Sequence, residues 1–216
     1  MRLLSKNKII ILVILGIILV LGIIYVPKMW RDNKMTNVRL TTNHGKIEIR
    51  LYDDMPITTD NFKRLVEEGV YDGIIFHRII DGFMVQGGDP TGTGFGDPNI
   101  PNIEDEFTHK GGNKNNKGTI SMANAGPNTG SSQFFINLVD NNPLDDKHPA
   151  FGEVVKGMNV VEEIAKVRTG AGDRPVEDVV IEKAEIIWIL WLKFILKQAF
   201  IYPHFDMILT NKDKLD

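Results

Sequence analysis

Ile9 to Val26 is an apolar run interrupted only by Gly16 and Gly22, with Arg2, Lys6 and Lys8 ahead of it. At a rise of about 1.5 Å per residue, a helix of that length just crosses a hydrocarbon core. It has no polar face, so one-sided packing on a domain does not suit it. Beyond it the pattern changes. Val38 to Thr42 and Lys46 to Tyr52 alternate with period two around Asn43, His44 and Gly45, which predicts a β-hairpin with one buried face. Pro56 to Gly69 places Phe62, Leu65 and Val66 on one helical face, with Thr58 or Thr59 as the expected cap and Gly69 as the stop.

Ile74 to Gln86 is strand-like and broken at Asp81 and Gly82, and Thr119 to Ala123 and Gln133 to Leu138 read as two further strands. A second helix fits Asn159 to Arg168, where Val160, Val161, Ile164 and Val167 share a face and Gly170 provides the stop. Val179 to Ile187 reads as the last strand. Many short strands, glycine-rich turns and two isolated helices predict an all-β-dominated domain, a closed barrel or a sandwich. The chain thus divides into an anchor and linker (residues 1–36), a folded domain (37–187) and a hydrophobic C-terminal extension (188–216).

The termini carry their own expectations. A cleaved signal peptide has a shorter apolar region and a small-residue cleavage site, whereas Val26 to Trp30 is bulky, so Ile9–Val26 reads as an uncleaved transmembrane helix. Lys28, Arg31 and Lys34 nearly balance the basic residues on the other side, and the short N-terminal flank tips the orientation toward an extracytoplasmic domain. Ile186 to Leu196 is too short to span comfortably. Trp188, Trp191, Lys193 and Lys197 suit a helix lying at a membrane interface, and an extension packed on the domain is the alternative reading.

Composition removes several function classes. A net charge of -3 gives no electrostatic reason to expect a nucleic acid partner. With no cysteine, disulfides, thiol nucleophiles and cysteine-ligated metals are out. His44, His77, His109, His148 and His204 show no pair at helical ligand spacing, so no zinc site is expected. The glycine-rich stretch Gly87 to Gly96 lacks the Gly-Lys-Ser/Thr ending of a phosphate loop and a βαβ context, so it reads as turns. Asp89, Asp145 and Asp146 read as solvated loop carboxylates, not as acid–base catalysts. No cofactor is expected.

Three segments remain: Phe76 to Asp89 (FHRIIDGFMVQGGD), Gly118 to Ile136 (GTISMANAGPNTGSSQFFI) and Leu144 to Gly152 (LDDKHPAFG). Together, and in this order with the hairpin and both helices, they resemble the cyclophilins, over Asn37 to Ile187. The resemblance implies an eight-stranded antiparallel closed barrel capped by two α-helices, and peptidyl-prolyl cis-trans isomerase activity on proline-containing unfolded or flexible polypeptides, by a monomer. It assigns Arg78 as the catalytic donor to the proline nitrogen. Phe83, Met84, Phe135 and Leu144 would line an apolar proline pocket with His148. Gln86, the Ala123, Asn124 and Ala125 segment, and Gln133 would hold the peptide backbone. Strand alternation lets Met84 and Gln86 share one side, as a pocket wall and a polar anchor must. His77 is expected to be structural. A chaperone or binding module that holds proline peptides in the same groove with little turnover, or a structural membrane subunit, is the rival reading, and an intact Arg78 favours the enzyme. The chain departs from many family members at Pro143, where they carry the Trp that helps bind cyclosporin, and at Asp81, where they carry Pro.

Overall fold

The computed structural model describes residues 36–187. The apolar run Ile9–Val26 and the extension 188–216 lie outside the described residues. Among those described, no helix is long and apolar enough to cross a membrane.

The expected hairpin is β1 (Asn37–Thr42) and β2 (Gly45–Leu51), paired from Asn37↔Arg50 to Thr42↔Gly45. Alternation places Val38, Leu40, Ile47, Ile49 and Leu51 in the core. The remaining strands are β3 (Ile74–Ile75), β4 (Arg78–Ile80), β5 (Met84–Gly87), β6 (Thr119–Met122), β7 (Phe134–Asn137), β8 (Ala150–Lys156) and β9 (Val180–Ile187). They form one antiparallel sheet in the order β3-β9-β1-β2-β8-β6-β7-β5-β4. β3 and β4 end that order on opposite sides yet are separated in the chain only by Phe76 and His77, so the sheet must curl until its edges meet.

This corrects the expected eight-stranded closed barrel: among the described residues nine strands are present, and no ladder joins the two edges. The predicted strand from Ile74 splits because it changes partners. Ile74 and Ile75 pair with β9, and the Phe76 amide still donates to the Val179 carbonyl at 2.9 Å. From Arg78 onward the chain pairs with β5 instead. β8 was not expected as a strand, since its sequence does not alternate. It is an interior strand between β2 and β6, and Gly152 permits this because a Cβ there would lie 2.5 Å from the Arg50 carbonyl oxygen.

Two helices flank the sheet: α1 (Pro56–Glu67) packs against β9, and α2 (Met158–Ile164) against β2. The α1 start differs from expectation. Met55 is the N-cap and Pro56 opens the helix, while Thr59 turns its hydroxyl back to the Met55 carbonyl at 2.8 Å. The free Thr58 amide is satisfied by the Glu106 carboxylate at 2.8 Å, from 48 residues away. Gly69 does end the helix: it adopts φ 71°, and the Gly69 and Val70 amides return to the Val66 and Leu65 carbonyls. α2 stops at Ile164, short of Arg168, although Val167 still packs on the core.

Phe62 from α1 meets Tyr71, Phe134 and Phe151 at ring-centroid distances of 5.1 to 5.6 Å. This aromatic cluster fills the inside of the curl together with the inward residues of every strand. The functional candidates therefore sit on the outside.

Candidate functional site

Residues directly opposite each other in an antiparallel ladder point to the same face. Arg78 pairs with Gln86, and Gln86 pairs with Phe135. Their chain neighbours Ile79, Val85, Phe134 and Ile136 belong to the core, so Arg78, Gln86 and Phe135 form one row across the outer face. The next outward row is Ile80, Met84 and Asn137. Met84 and Gln86 therefore do share a side. With strands about 4.8 Å apart, Arg78 and Phe135 stand about 10 Å from each other, with Gln86 between them.

Arg78 is half-exposed. Its Nε donates to the Asp173 carboxylate at 3.4 Å, the guanidinium's one partner among the described residues. The contact is made at Nε and leaves both Nη groups without a hydrogen-bond partner among the described residues. Asp173 lies in a tight turn, Ala171–Asp173, with φ 60°, and no sequence signal marked it.

Phe135 is 5 % exposed and meets the His148 ring edge-on at 5.4 Å. The His148 Nδ1 sits 3.0 Å from the Met122 carbonyl, which fixes the ring beside β6. Leu144 ends a short 3-10 turn, Asn142–Leu144, and its carbonyl accepts the His148 amide at 3.0 Å. Phe83 is half-buried in the turn before β5, where its carbonyl accepts the Leu138 amide at 2.9 Å. Met84 is buried like Phe135, at 2 % exposure, while Leu144 and His148 are half-buried.

The other predicted residues line a cavity of about 470 Å³ that Gln86 also lines: Ala123, Asn124, Ala125 and Gln133, with Gly94 to Gly96. Gln86 donates to Gln133 at 3.0 Å, and Gln133 donates to the Gly94 carbonyl at 3.0 Å, so one amide chain joins the sheet to the loop. Asn124 donates its side chain to the Lys147 carbonyl at 2.7 Å, while its own peptide N–H and C=O have no intramolecular partner among the described residues. Unpaired peptide groups on a cavity wall can accept a peptide backbone by hydrogen bonds.

The loop wall is built on Asp89, and here the expectation of solvated carboxylates fails. Asp89 is fully buried and accepts the amides of Thr91, Thr93, Gly94 and Gly96. Burial pushes its carboxyl up, but these amides and the Thr91 hydroxyl outweigh that and hold it below the usual range. Gly92, Gly94 and Gly96 take positive φ so that the amides can converge on it. Asp145 is also buried and accepts the Asn115 amide at 2.7 Å, whereas Asp146 is exposed. His77, buried between β3 and β4, has no hydrogen-bond partner among the described residues and packs on Gly94. No group of three or more His, Cys, Asp or Glu residues suited to a metal occurs among the described residues.

A family model described as cyclophilin type peptidyl-prolyl cis-trans isomerase/CLD matches residues 37–186. The peptidyl-prolyl cis-trans isomerase ppi1 of Schizosaccharomyces pombe is 50% identical over 153 residues, 69% of this chain and 98% of that protein. A putative peptidyl-prolyl cis-trans isomerase of Staphylococcus haemolyticus is 41% identical over 187 residues, 72% of this chain and 93% of its own. A crystal structure of a Cryptosporidium parvum cyclophilin type peptidyl-prolyl cis-trans isomerase superposes with a TM-score of 0.67 at 31% identity, covering 72% of this chain and 99% of that one. A second crystal structure of the same description, solved in the presence of the dipeptide Ala-Pro, gives 0.66 at 32% identity and covers 71% of this chain and 99% of that one.

Proposed function

Because the chain belongs to the cyclophilin-type peptidyl-prolyl cis-trans isomerases, we propose that Arg78 is its catalytic group and that it acts on X-Pro bonds of unfolded or flexible polypeptides during folding. The bond resists rotation by about 18–20 kcal/mol because amide resonance must be broken. In the twisted state the proline nitrogen turns pyramidal and gains a lone pair. A guanidinium donating to that nitrogen favours the twisted form over either planar one. Its charge does not change, which suits a steady donor and not a proton shuttle. The observation that carries this reading is the outward row Arg78, Gln86 and Phe135, in which Arg78 meets Asp173 at Nε and has no hydrogen-bond partner at either Nη among the described residues.

In this reading Phe83, Met84, Phe135, Leu144 and His148 enclose the proline ring. Gln86, Gln133 and the Ala123–Asn124–Ala125 backbone hold the flanking peptide, and the neighbour solved with Ala-Pro is in keeping with such a ligand. Every group comes from one chain, so a monomer suffices, and the mechanism calls for no cofactor. Replacing Arg78 with Ala or Lys should lower kcat/KM for a proline tetrapeptide tenfold or more, on the order of 1.4 kcal/mol. Lys lacks the planar fork that fixes donor direction. Wild-type turnover by a folded Arg78→Ala protein would refute the mechanism.

The tethering of this enzyme to a membrane through Ile9–Val26, with the isomerase on the extracytoplasmic side, belongs to the same proposal and rests on the sequence. Membrane fractions washed with carbonate should retain the full chain and release one lacking residues 1–34. A mature N-terminus found after Val26 would show instead that the run is a cleaved signal.

A further inference from the structure

We propose that Asn141 is a positioning residue that sets the distance between the two walls of the proline pocket. This rests on the site reading above. One wall is Phe83, in the turn between β4 and β5, with Met84, the first residue of β5, and the other is the turn carrying Leu144 and His148. Asn141 touches both. Its side-chain amide donates to the Phe83 carbonyl at 2.9 Å and to Asn137 Oδ1 at 2.7 Å. Its carbonyl accepts the Leu144 amide at 2.9 Å, and its amide donates to the Asn115 carbonyl at 2.7 Å.

Two features separate this from ordinary turn chemistry. Asn is among the best residues for capping a helical turn with its own side chain. Asn141 stands at the N-cap of the Asn142–Leu144 turn, yet its side chain makes no capping bond there. It reaches instead to a wall 58 residues away in the chain. It is also only 8 % exposed, so these bonds are made where water does not replace them.

The partner Asn137 makes the tie stiff. It is fully buried in the outward row beside Met84 and donates to Thr119 Oγ1 at 2.9 Å. Asn141 therefore bonds to a group that is itself fixed to the sheet. An apolar pocket grips a proline ring only if its walls stand at the ring's thickness. Isomerisation is sensitive to this because the ring must be held while the preceding carbonyl turns.

The test compares Asn141→Ala and Asn141→Asp with wild type, using NMR exchange on an Ala-Pro-containing peptide, which needs no coupling protease and works across pH. Asn141→Ala should lower kcat/KM fivefold or more. Asn141→Asp should lose as much at pH 8, where a carboxylate offers no donor to either oxygen. It should regain at least half of the loss, on a logarithmic scale, at pH 5, where burial and the two facing acceptor oxygens favour the protonated acid over the carboxylate, so that it offers one O–H. Each rate is divided by that of wild type at the same pH. Glu106→Ala, which uncaps α1 and removes no bond to either wall of the proline pocket, should lower Tm and leave kcat/KM within twofold. If Asn141→Ala does not fold, the Asp variant at the two pH values decides.

Turnover within twofold of wild type by both variants at pH 8 overturns the proposal. So does an Asp variant with no recovery at acid pH, or an activity loss in Glu106→Ala that matches the Asn141 variants at equal Tm. A wild-type chain without isomerase activity would instead refute the function proposed above.

Discussion

Asp89→Ala tests whether one buried carboxylate holds the wall of the peptide groove. Four backbone amides, of Thr91, Thr93, Gly94 and Gly96, converge on it at 2.9, 3.1, 2.6 and 3.2 Å. A hydrogen bond to an ionised acceptor contributes about 1.5 kcal/mol at the low end of its range, so the set amounts to roughly 6 kcal/mol. The loop lies at the surface, and amides released from Asp89 can bind water, which returns about half. The expected loss is therefore about 3 kcal/mol, large against the 5–15 kcal/mol that holds a typical domain together. Urea denaturation measures it, with the midpoint moving and the slope unchanged if only stability has changed. Because the Gly94 carbonyl receives Gln133, which in turn receives Gln86, the folded variant should also show a raised KM for peptides extended ahead of proline. The same carboxyl is held below its usual range, so its contribution is fully present above about pH 4 and is lost as pH falls through the lower folded value. A destabilisation under about 1 kcal/mol, with peptide KM unchanged, would refute the reasoning.

Pro143 is exposed in the Asn142–Leu144 turn, and it supplies neither the apolar face nor the N–H donor of an indole. Cyclosporin should inhibit weakly, and Pro143→Trp should tighten inhibition at least tenfold while changing tetrapeptide kcat/KM less than about threefold, roughly 0.7 kcal/mol; tight inhibition of the unaltered chain would count against this reading of the rim. Burial pushes the His77 imidazole below its ordinary value; Asp89 opposes this, and Arg174 and Arg78 add to it. The unfolded chain takes up that proton near pH 6.5 and the folded chain resists it, so stability should fall as pH drops below about 6.5. His77→Gln should show a smaller drop in Tm between pH 7.5 and 5.5, and an equal drop would remove His77 as its source.

Local pattern was enough for the parts that depend on neighbours in the chain. The β1–β2 hairpin follows from period-two alternation around a short turn, and the end of α1 from a glycine free to take φ 71°. The placement of Met84 and Gln86 on one side follows from the pleat alone. Arg78 stood out only because a long ordered match surrounded it; as a lone arginine on a strand it carries no signal.

Other features depend on residues that the chain brings from far away, and these only the tertiary structure decided. The cap of α1 comes from Glu106, because the preceding Met55 offers no side-chain acceptor and the Thr58 amide must find one elsewhere. The strand from Ile74 divides at Phe76 and His77 because the curled sheet offers β9 on one side and β5 on the other. Asp173 meets Arg78 across 95 residues, and Asn141 meets Phe83 across 58. A carboxylate or an amide in a polar loop looks the same in sequence whether water or protein surrounds it. Asp89 and Asp145 read as solvated surface, and nothing in the sequence marked Asn141; folding removed the water and left each of them backbone groups as partners.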